Sequence, residues 1–282
     1  MSAISASPLL ISQKNPDFSV MKQRQQATWA SGDFSVVAAR IVYQAEQLCE
    51  TADLQVGWRV LDVATGSGNA ALAAARRGCD AVGVDYVPAL LERGRIRAEA
   101  EHLSVGFLEG DAELLPFPAT TFDAVISIYG VMFASDHRRA ASELVRVCRP
   151  GGRIALACWT PHGFIGETFR LFSRFLPPTP GLQPPVLWGD EAYQRELFGE
   201  SAASVTAYPR TAIFRYRSAE ENVEFFRTNY GPTLRAFEAL PAEQHAALND
   251  GLIALVRRYD RNAGSGPVAI AADYLETVIV RK

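Results

Sequence analysis

Between residues 58 and 160, the pattern of apolar and polar positions switches repeatedly between one typical of strands and one typical of helices. Short apolar runs of strand length each precede a longer segment with helical spacing. The predicted strands cover 58–63, 80–84, 104–108, 121–129 and 153–159, and the helices between them cover 69–76, 88–102 and 136–148. Strands and helices that alternate in this way imply parallel pairing with right-handed crossovers. The pattern therefore predicts an α/β fold with a doubly wound sheet.

Outside these residues, the hydrophobic pattern no longer alternates regularly between strands and helices. Helical spacing is found at 35–53, 164–176, 190–199 and 219–260, where Gly231-Pro232 and Pro241 interrupt the last segment, and strand-like alternation at 205–217 and 272–280. Residues 1 to about 20 show no period, so we expect a loose arm there. Trp29 lies beside a Ser-Gly-Asp turn, where it either forms a lid over a pocket or packs the first helix against the sheet.

Composition and charge narrow the class of protein. A chain of 282 residues with 48% hydrophobic content can bury a large core, as one domain or as one domain with a cap. A formal net charge of -3 and an isoelectric point near 5.9 provide no basic surface for nucleic acid, so no nucleic-acid partner is expected.

The cysteines and the apolar runs predict a cytoplasmic protein. Cys49, Cys79, Cys148 and Cys158 lack the spacing of zinc or redox motifs, so we predict buried thiols and no metal. The first twenty residues do not resemble a secretory signal, and no apolar run is long enough to span a membrane.

The segment W-R-V-L-D-V-A-T-G-S-G-N-A-A-L-A-A-A-R, from Trp58 to Arg76, carries the first sign of chemistry. It reads as a strand, a glycine turn and a helix. Gly66 and Gly68 allow a ligand close to the backbone, and the helix from Asn69 directs unpaired N–H groups into the same space. A nucleotide-like ligand is the first expectation.

Three acidic residues refine this expectation. Asp62 lies within the first strand, where a dinucleotide-binding fold has an apolar residue. Asp85 ends the second strand, 19 residues after Gly66, which is a position for a carboxylate that binds both hydroxyls of a ribose. Asp111 follows the third strand, where it can accept a hydrogen bond from an adenine amino group. Each acid could instead only cap a turn, but all three together favour a nucleoside ligand.

The chain at this point resembles the class I S-adenosylmethionine-dependent methyltransferases, in the type 11 branch that includes enzymes of ubiquinone and menaquinone biosynthesis. The resemblance covers residues 58–160 through the motifs V-L-D-V-A-T-G-S-G, G-V-D, G-D-A-E-L-L-P-F-P, F-D-A-V-I-S-I-Y-G and R-V-C-R-P-G-G-R-I. It implies a Rossmann-like sheet of seven strands, in the order 3-2-1-4-5-7-6, with the last strand antiparallel. It also implies S-adenosylmethionine as the cofactor.

The resemblance assigns residues to parts of the cofactor. Ala64, Gly66, Ser67 and Gly68 would contact the methionine moiety, Asp85 the ribose, Asp111 and Ala112 the adenine edge, and Ile128 and Tyr129 the region of the sulfonium. The full set of candidate cofactor-binding residues is Asp62, Ala64, Gly66, Ser67, Gly68, Asp85, Tyr86, Asp111, Ala112, Ile128 and Tyr129.

The segments outside the resemblance are expected to choose the substrate. We divide the chain into an N-terminal helical arm and possible lid at 1–34 and one methyltransferase domain at 35–282. This domain has a cofactor-binding core at 58–160 and a substrate cap of helical insertions with C-terminal strands at 161–282. Aromatic residues predict a mostly apolar pocket for a small aromatic or lipophilic acceptor. The candidate wall residues are Trp29, Tyr129, Met132, Phe133, Trp159, Phe164 and Trp188.

The predicted reaction is an in-line displacement at the sulfonium methyl group. The protein holds a nucleophile about 3–3.5 Å from that carbon, and a general base is required only if the nucleophile must lose a proton. Tyr129, His137 and His162 are candidate bases, although each could be structural. The sequence leaves the acceptor, the methylated atom and the oligomeric state open.

Two other functions use the same fold. An NAD-dependent oxidoreductase is disfavoured by Asp62, by the Gly110-Asp111-Ala112 loop and by the lack of an obvious catalytic Tyr-x-x-x-Lys pair. A non-catalytic S-adenosylmethionine-binding protein would retain the turn and the acids without turnover.

The assignment of Asp85 yields a prediction. A charge-assisted hydrogen bond contributes roughly 1.5–3 kcal/mol, so Asp85→Ala is expected to weaken binding of S-adenosylhomocysteine roughly ten- to hundredfold. Isothermal titration calorimetry measures this affinity. An unchanged affinity in the variant would show that Asp85 does not bind the cofactor.

Overall fold

The computed structural model describes residues 18–264 and 266–282. Seven strands form one sheet in the order β3-β2-β1-β4-β5-β7-β6. The strands are β1 Arg59–Val63, β2 Asp80–Asp85, β3 Val105–Glu109, β4 Phe122–Ile128, β5 Cys148–Trp159, β6 Ala202–Tyr216 and β7 Val268–Arg281. Strands β1 to β5 pair in parallel, and β7 runs antiparallel to both β5 and β6. The predicted fold class, strand order and antiparallel last strand are confirmed.

Helices surround the sheet and build the cap. They are α1 Phe18–Trp29, α2 Phe34–Ala38, α3 Val42–Thr51, α4 Asn69–Arg76, α5 Pro88–Ala100, α6 His137–Val147, α7 Phe164–Phe175, α8 Glu191–Phe198, α9 Ala219–Asn229, α10 Gly231–Ala239 and α11 Ala242–Tyr259. Two short 3-10 helices cover Val131–Phe133 and Pro185–Gly189. Helices α7, α9, α10 and α11 pack on one another, and α11 also contacts β7.

The helix of the first crossover, α4, is largely buried against the sheet. Helix α4 reads N-A-A-L-A-A-A-R, and its residues from Asn69 to Ala74 are buried. Small alanine side chains allow this helix to lie close to the sheet, where it contacts β1, β2, β3 and β4. The start of α4 is thereby held at the carboxyl ends of the central strands.

Two element boundaries differ from the prediction. The helix expected over 35–53 is split between Ala38 and Val42, because the Ala38 carbonyl accepts a hydrogen bond of 2.8 Å from Asn69 Nδ2 at the start of α4. The loose arm expected over residues 1 to about 20 lies outside the described residues except at its end, where residues from Phe18 onward belong to helix α1.

The four cysteines are buried free thiols, as predicted. Within the described residues, no helix is long and apolar enough to cross a membrane. The same residues contain no group of three or more His, Cys, Asp or Glu side chains placed to hold a metal ion.

Candidate functional site

The turn after β1 has the backbone geometry of a ligand-binding loop. Ala64, Gly66 and Gly68 have positive φ values of 54°, 56° and 86°. A Cβ atom at Gly68 would lie 2.8 Å from the Phe107 ring, so both the backbone angle and the packing require glycine there. The turn can therefore present bare backbone to a ligand.

Asp85 connects this turn to the end of β2. Its Oδ2 accepts a hydrogen bond of 2.9 Å from Gly66 N–H, and its Oδ1 accepts one of 2.9 Å from Val87 N–H. Burial raises the pKa of Asp85, while the hydrogen bonds from Val87 and Gly66 oppose that rise. The carboxylate lies in a pocket wall with its orientation fixed from two sides.

Asp62 lies beneath the same turn and does not line the pocket. Its Oδ2 accepts hydrogen bonds from Thr65 Oγ1 at 2.5 Å and from Ala71 N–H at 2.9 Å, whereas Oδ1 has no partner among the described residues. Burial raises the pKa of Asp62 to about 7. Its side chain fastens the turn to the first turn of α4.

Asp111 occupies the loop after β3. Its Oδ1 accepts a hydrogen bond of 2.9 Å from Glu113 N–H, and its Oδ2 lies 2.6 Å from Lys22 Nζ. Because Lys22 belongs to helix α1, the N-terminal region reaches the pocket at this point.

The end of β4 completes the opposite wall. A Cβ atom at Gly130 would lie 2.5 Å from the Ala64 carbonyl oxygen, so the ends of β1 and β4 meet without space for a side chain. Tyr129 has a φ of 53°, which a bulky residue rarely adopts, and such strain is concentrated at functional sites.

These residues line a pocket of about 860 Å³, which we call the polar lobe. Its walls include Asp85 and Asp111 at the strand ends, the turn after β1, the end of β4 and the inner side of α1. The candidate residues on its walls are Ala64, Gly66, Asp85, Tyr86, Asp111, Ala112, Ile128 and Tyr129.

A second pocket of about 850 Å³, the apolar lobe, adjoins the first. Trp29, Phe34, Ile41, Tyr129 and Phe133 line both lobes, which therefore share a wall. The remaining walls of the apolar lobe come largely from aromatic side chains of β5, β6, α7 and α9, including Trp159, Phe164, Phe169, Phe214 and Phe226.

Aromatic packing organises the shared wall. The Tyr129 ring stacks on Trp159 with centroids 3.8 Å apart and planes 7° from parallel. Trp29 contacts Phe133 edge to face at 4.8 Å. The Trp29–Phe133 contact has the edge-to-face geometry that aromatic rings favour, and the Tyr129 and Trp159 rings bury their faces against each other, so the wall is packed without a ligand.

The structure places the other candidates outside both lobes. Ser67 and Gly68 belong to the turn after β1 but do not line the polar lobe. The Ser67 carbonyl accepts a hydrogen bond of 2.7 Å from Arg97. Met132 is buried without lining either lobe. Trp188, predicted to line the acceptor pocket, is instead fully buried in the core.

The candidate bases are poorly suited to take a proton. Burial raises the pKa of Tyr129 well above its ordinary value, and its hydroxyl has no hydrogen-bond partner among the described residues. Burial lowers the pKa of His137 to about 4, and its Nδ1 lies 2.9 Å from the Tyr193 hydroxyl. Neither His137 nor His162 lines a lobe.

Several pocket residues were not predicted from the sequence. Lys22 and Gln25 of α1 line the polar lobe, and Asn222, Val223 and Phe226 of α9 line the apolar lobe. The polar run K-Q-R-Q-Q beside Trp29 was a signal for α1, whereas nothing distinguishes the α9 residues from those of an ordinary amphipathic helix.

The chain is similar to known proteins in sequence and in fold. A Mycobacterium tuberculosis protein of uncharacterised function, Rv1405c, is 39% identical over 239 residues, which cover 83% of this chain and 87% of the relative. A family model described as a methyltransferase domain matches residues 61–156. The chain belongs to the class I methyltransferases. Members of this family generally use S-adenosylmethionine, and the protein is an S-adenosylmethionine-dependent methyltransferase.

Further matches describe parts of this methyltransferase. The demethylmenaquinone methyltransferase of Thermus thermophilus is 43% identical over 129 residues, or 44% of this chain and 59% of the relative. The crystal structure of a Bacillus halodurans protein proposed to be a methyltransferase, BH2331, has a TM-score of 0.59 at 18% identity and covers 84% of this chain and 97% of its own. That likeness shows the fold. Membership of the methyltransferase family argues against the alternative considered from the sequence, an NAD-dependent oxidoreductase.

The buried Asp62 carboxyl makes the stability of the methyltransferase depend on pH. Its pKa is about 7 in the folded protein and about 4 when unfolded, so the folded state binds the extra proton between these values. The free energy of unfolding is therefore expected to fall as pH rises from about 4 to about 7, relative to Asp62→Asn, with no further divergence above that range.

Urea denaturation of both proteins across this pH range measures the difference. Asp80→Asn, at the exposed start of β2, is the matched control and should follow the wild-type curve. Parallel curves for the wild type and Asp62→Asn would contradict the raised pKa.

Proposed function

We propose that the polar lobe binds S-adenosylmethionine and that the apolar lobe binds an uncharged, lipophilic small molecule that receives the methyl group. The observation that carries the proposal is the wall that the two lobes share, which includes Tyr129 and Phe133, because a pocket with acidic side chains there adjoins a pocket whose described lining has no charged residue. Ligands in the two lobes can approach each other at this wall.

The residues of the polar lobe fit the cofactor in three places. Asp85 retains free lone pairs on both oxygens after its two backbone hydrogen bonds, so it can accept from ribose hydroxyls. Asp111 can accept from the adenine amino group. The bare backbone at Gly66 suits the methionine moiety. When bound, the cofactor supplies an electrophilic methyl group.

The apolar lobe supports an uncharged acceptor. None of its described lining residues is charged, and apart from tyrosines its polar side chains are Thr168, Asn222 and Thr233. A charged acceptor would lose its hydration there without an opposite charge to compensate, which is strongly unfavourable. Aromatic walls provide large contact areas for a flat or hydrocarbon-rich molecule.

The relatives are compatible with this acceptor class. The Thermus thermophilus relative is named for methylation of demethylmenaquinone, but its match covers less than half of this chain. The apolar lobe draws heavily on α7, α9 and α11, which lie beyond residues 61–156 of the family model. The support from this relative therefore concerns the donor side more than the acceptor.

Positioning, and not proton abstraction, is the main task of the acceptor site. Its described walls contain no Asp, Glu, His, Lys or Cys side chain, and Tyr129 is a neutral phenol because burial raises its pKa. A suitable nucleophile therefore has no proton that must leave before methyl transfer, as in a thioether sulfur or an electron-rich ring carbon. Alignment alone can supply on the order of 7–11 kcal/mol of the barrier.

An acceptor screen tests this function. The methyltransferase is incubated with methyl-labelled S-adenosylmethionine and a panel of uncharged quinols, which can react at a ring carbon, and thioethers, with carboxylated or amine-bearing analogues of each as matched controls. We expect labelled product from the uncharged members and at least tenfold less from the charged analogues. Product formed mainly from charged analogues, or from no member of the panel, would contradict the assigned acceptor class.

A charge placed in the apolar lobe is expected to impair binding of the acceptor without impairing binding of the cofactor. Phe226→Asp introduces a carboxylate into the lobe, so we expect acceptor turnover to fall at least a hundredfold while S-adenosylhomocysteine affinity stays within about threefold. Thr228→Asp, on the exposed side of the same helix, should leave both unchanged. Activity assays and calorimetry measure the two effects, and full activity in Phe226→Asp would refute this role of the lobe.

A further inference from the structure

Helix α1 reaches the polar lobe through one ion-paired lysine. Lys22 Nζ lies 2.6 Å from Asp111 Oδ2 and 2.6 Å from Glu113 Oε2, and its side chain is 30% exposed. Burial lowers the pKa of Lys22, but the hydrogen bonds from Lys22 to the two carboxylates outweigh this effect and raise it. The lysine is therefore a cation held between two acids, both of which line the polar lobe where adenine is proposed to bind.

Glu113 provides a fixed anchor for this lysine. Its Oε1 accepts hydrogen bonds of 2.7 Å from Ser135 N–H and 2.9 Å from Asp136 N–H, and its side chain is 6% exposed. A carboxylate with this many partners cannot turn without losing them. Lys22 thus has one immobile partner, and its second partner, Asp111, is held at Oδ2 by the same ammonium group and at Oδ1 by the Glu113 N–H.

Other contacts tie α1 to the rim of the site. No residue of α1 is fully buried, so the helix is not anchored by a hydrophobic core of its own. Gln26 Nε2 donates to the Tyr86 carbonyl, and Gln25 Oε1 accepts a hydrogen bond of 3.0 Å from Ser135 Oγ. At its end, Trp29 contacts Phe133 and closes the wall between the lobes.

We propose that Lys22 is a positioning residue that orients Asp111 towards the adenine amino group and thereby fastens α1, with Trp29, over both lobes. The inference rests on the proposed cofactor site. It adds a residue 89 positions away from Asp111 in the chain and makes the N-terminal helix part of the cofactor site. Cofactor binding and closure of the apolar lobe are then two consequences of the same ion pair.

Two roles of Lys22, positioning of Asp111 and a simple effect of its positive charge, predict different changes in affinity across three ligands. S-adenosylmethionine carries a sulfonium cation, whereas S-adenosylhomocysteine and 5′-methylthioadenosine have a neutral thioether. Loss of a nearby cation would by itself favour the sulfonium ligand. Loss of a correctly oriented Asp111 would weaken all three ligands by the same factor, because all three carry the same adenine.

Calorimetry with Lys22→Met tests the proposal. Arg24→Met is the matched control, because it removes a cation from the exposed side of the same helix without touching Asp111. We expect Lys22→Met to bind all three ligands about tenfold more weakly, Arg24→Met to resemble the wild type, and Lys22→Arg to recover part of the loss. Equal affinities for Lys22→Met and Arg24→Met would overturn the proposal, as would a loss confined to one ligand.

A double-mutant cycle links the effect to Asp111. In an Asp111→Asn background, Lys22→Met is expected to cause no further loss, since the carboxylate that it orients is gone. Full additivity of the two losses would also overturn the proposal. Wild-type protein that binds none of the three ligands would refute the proposed cofactor site itself, an outcome distinct from failure of the Lys22 variant alone.

Discussion

The hydrogen bond from Gly66 N–H to Asp85 is the constraint on which the site depends. It joins the turn after β1 to the end of β2, and so fixes the separation between bare backbone and a buried carboxylate. Asp62 secures the other side of the turn to α4. Because both acids are buried, the local dielectric is low and each bond to them is stronger than it would be in water. The pocket is consequently rigid before any ligand arrives.

Much of the fold was predictable because it follows from local signals. The alternating strands and helices between 58 and 160 indicated the parallel sheet, and the strand order and antiparallel β7 implied by the family resemblance are confirmed. The break between α2 and α3 was not predictable, since it depends on Asn69, which is distant in sequence. An N-terminal helical arm was expected, but the bounds of α1 could not be predicted, because this helix has no buried residue and hence no clear apolar period.

The candidate site could be predicted for acidic residues placed at the end of a strand. It could not be predicted for contacts between residues that are far apart in the sequence. Asp85 and Asp111 follow β2 and β3, whereas Lys22 meets Asp111 from 89 residues away. Aromatic residues were ambiguous for a physical reason, because a ring is equally stable in a core and in a pocket wall. Trp159 lines the apolar lobe, but Trp188 packs against His137 within the core.

The two lobes are encoded by different stretches of the chain. Most walls of the polar lobe come from residues 64–135, while those of the apolar lobe come largely from 159–256. A duplicated gene could therefore acquire a new acceptor through substitutions in the cap and retain its methyl donor unchanged. Among the described residues, those of the shared wall belong to both lobes, and they set the limit on how freely such a lineage can diversify.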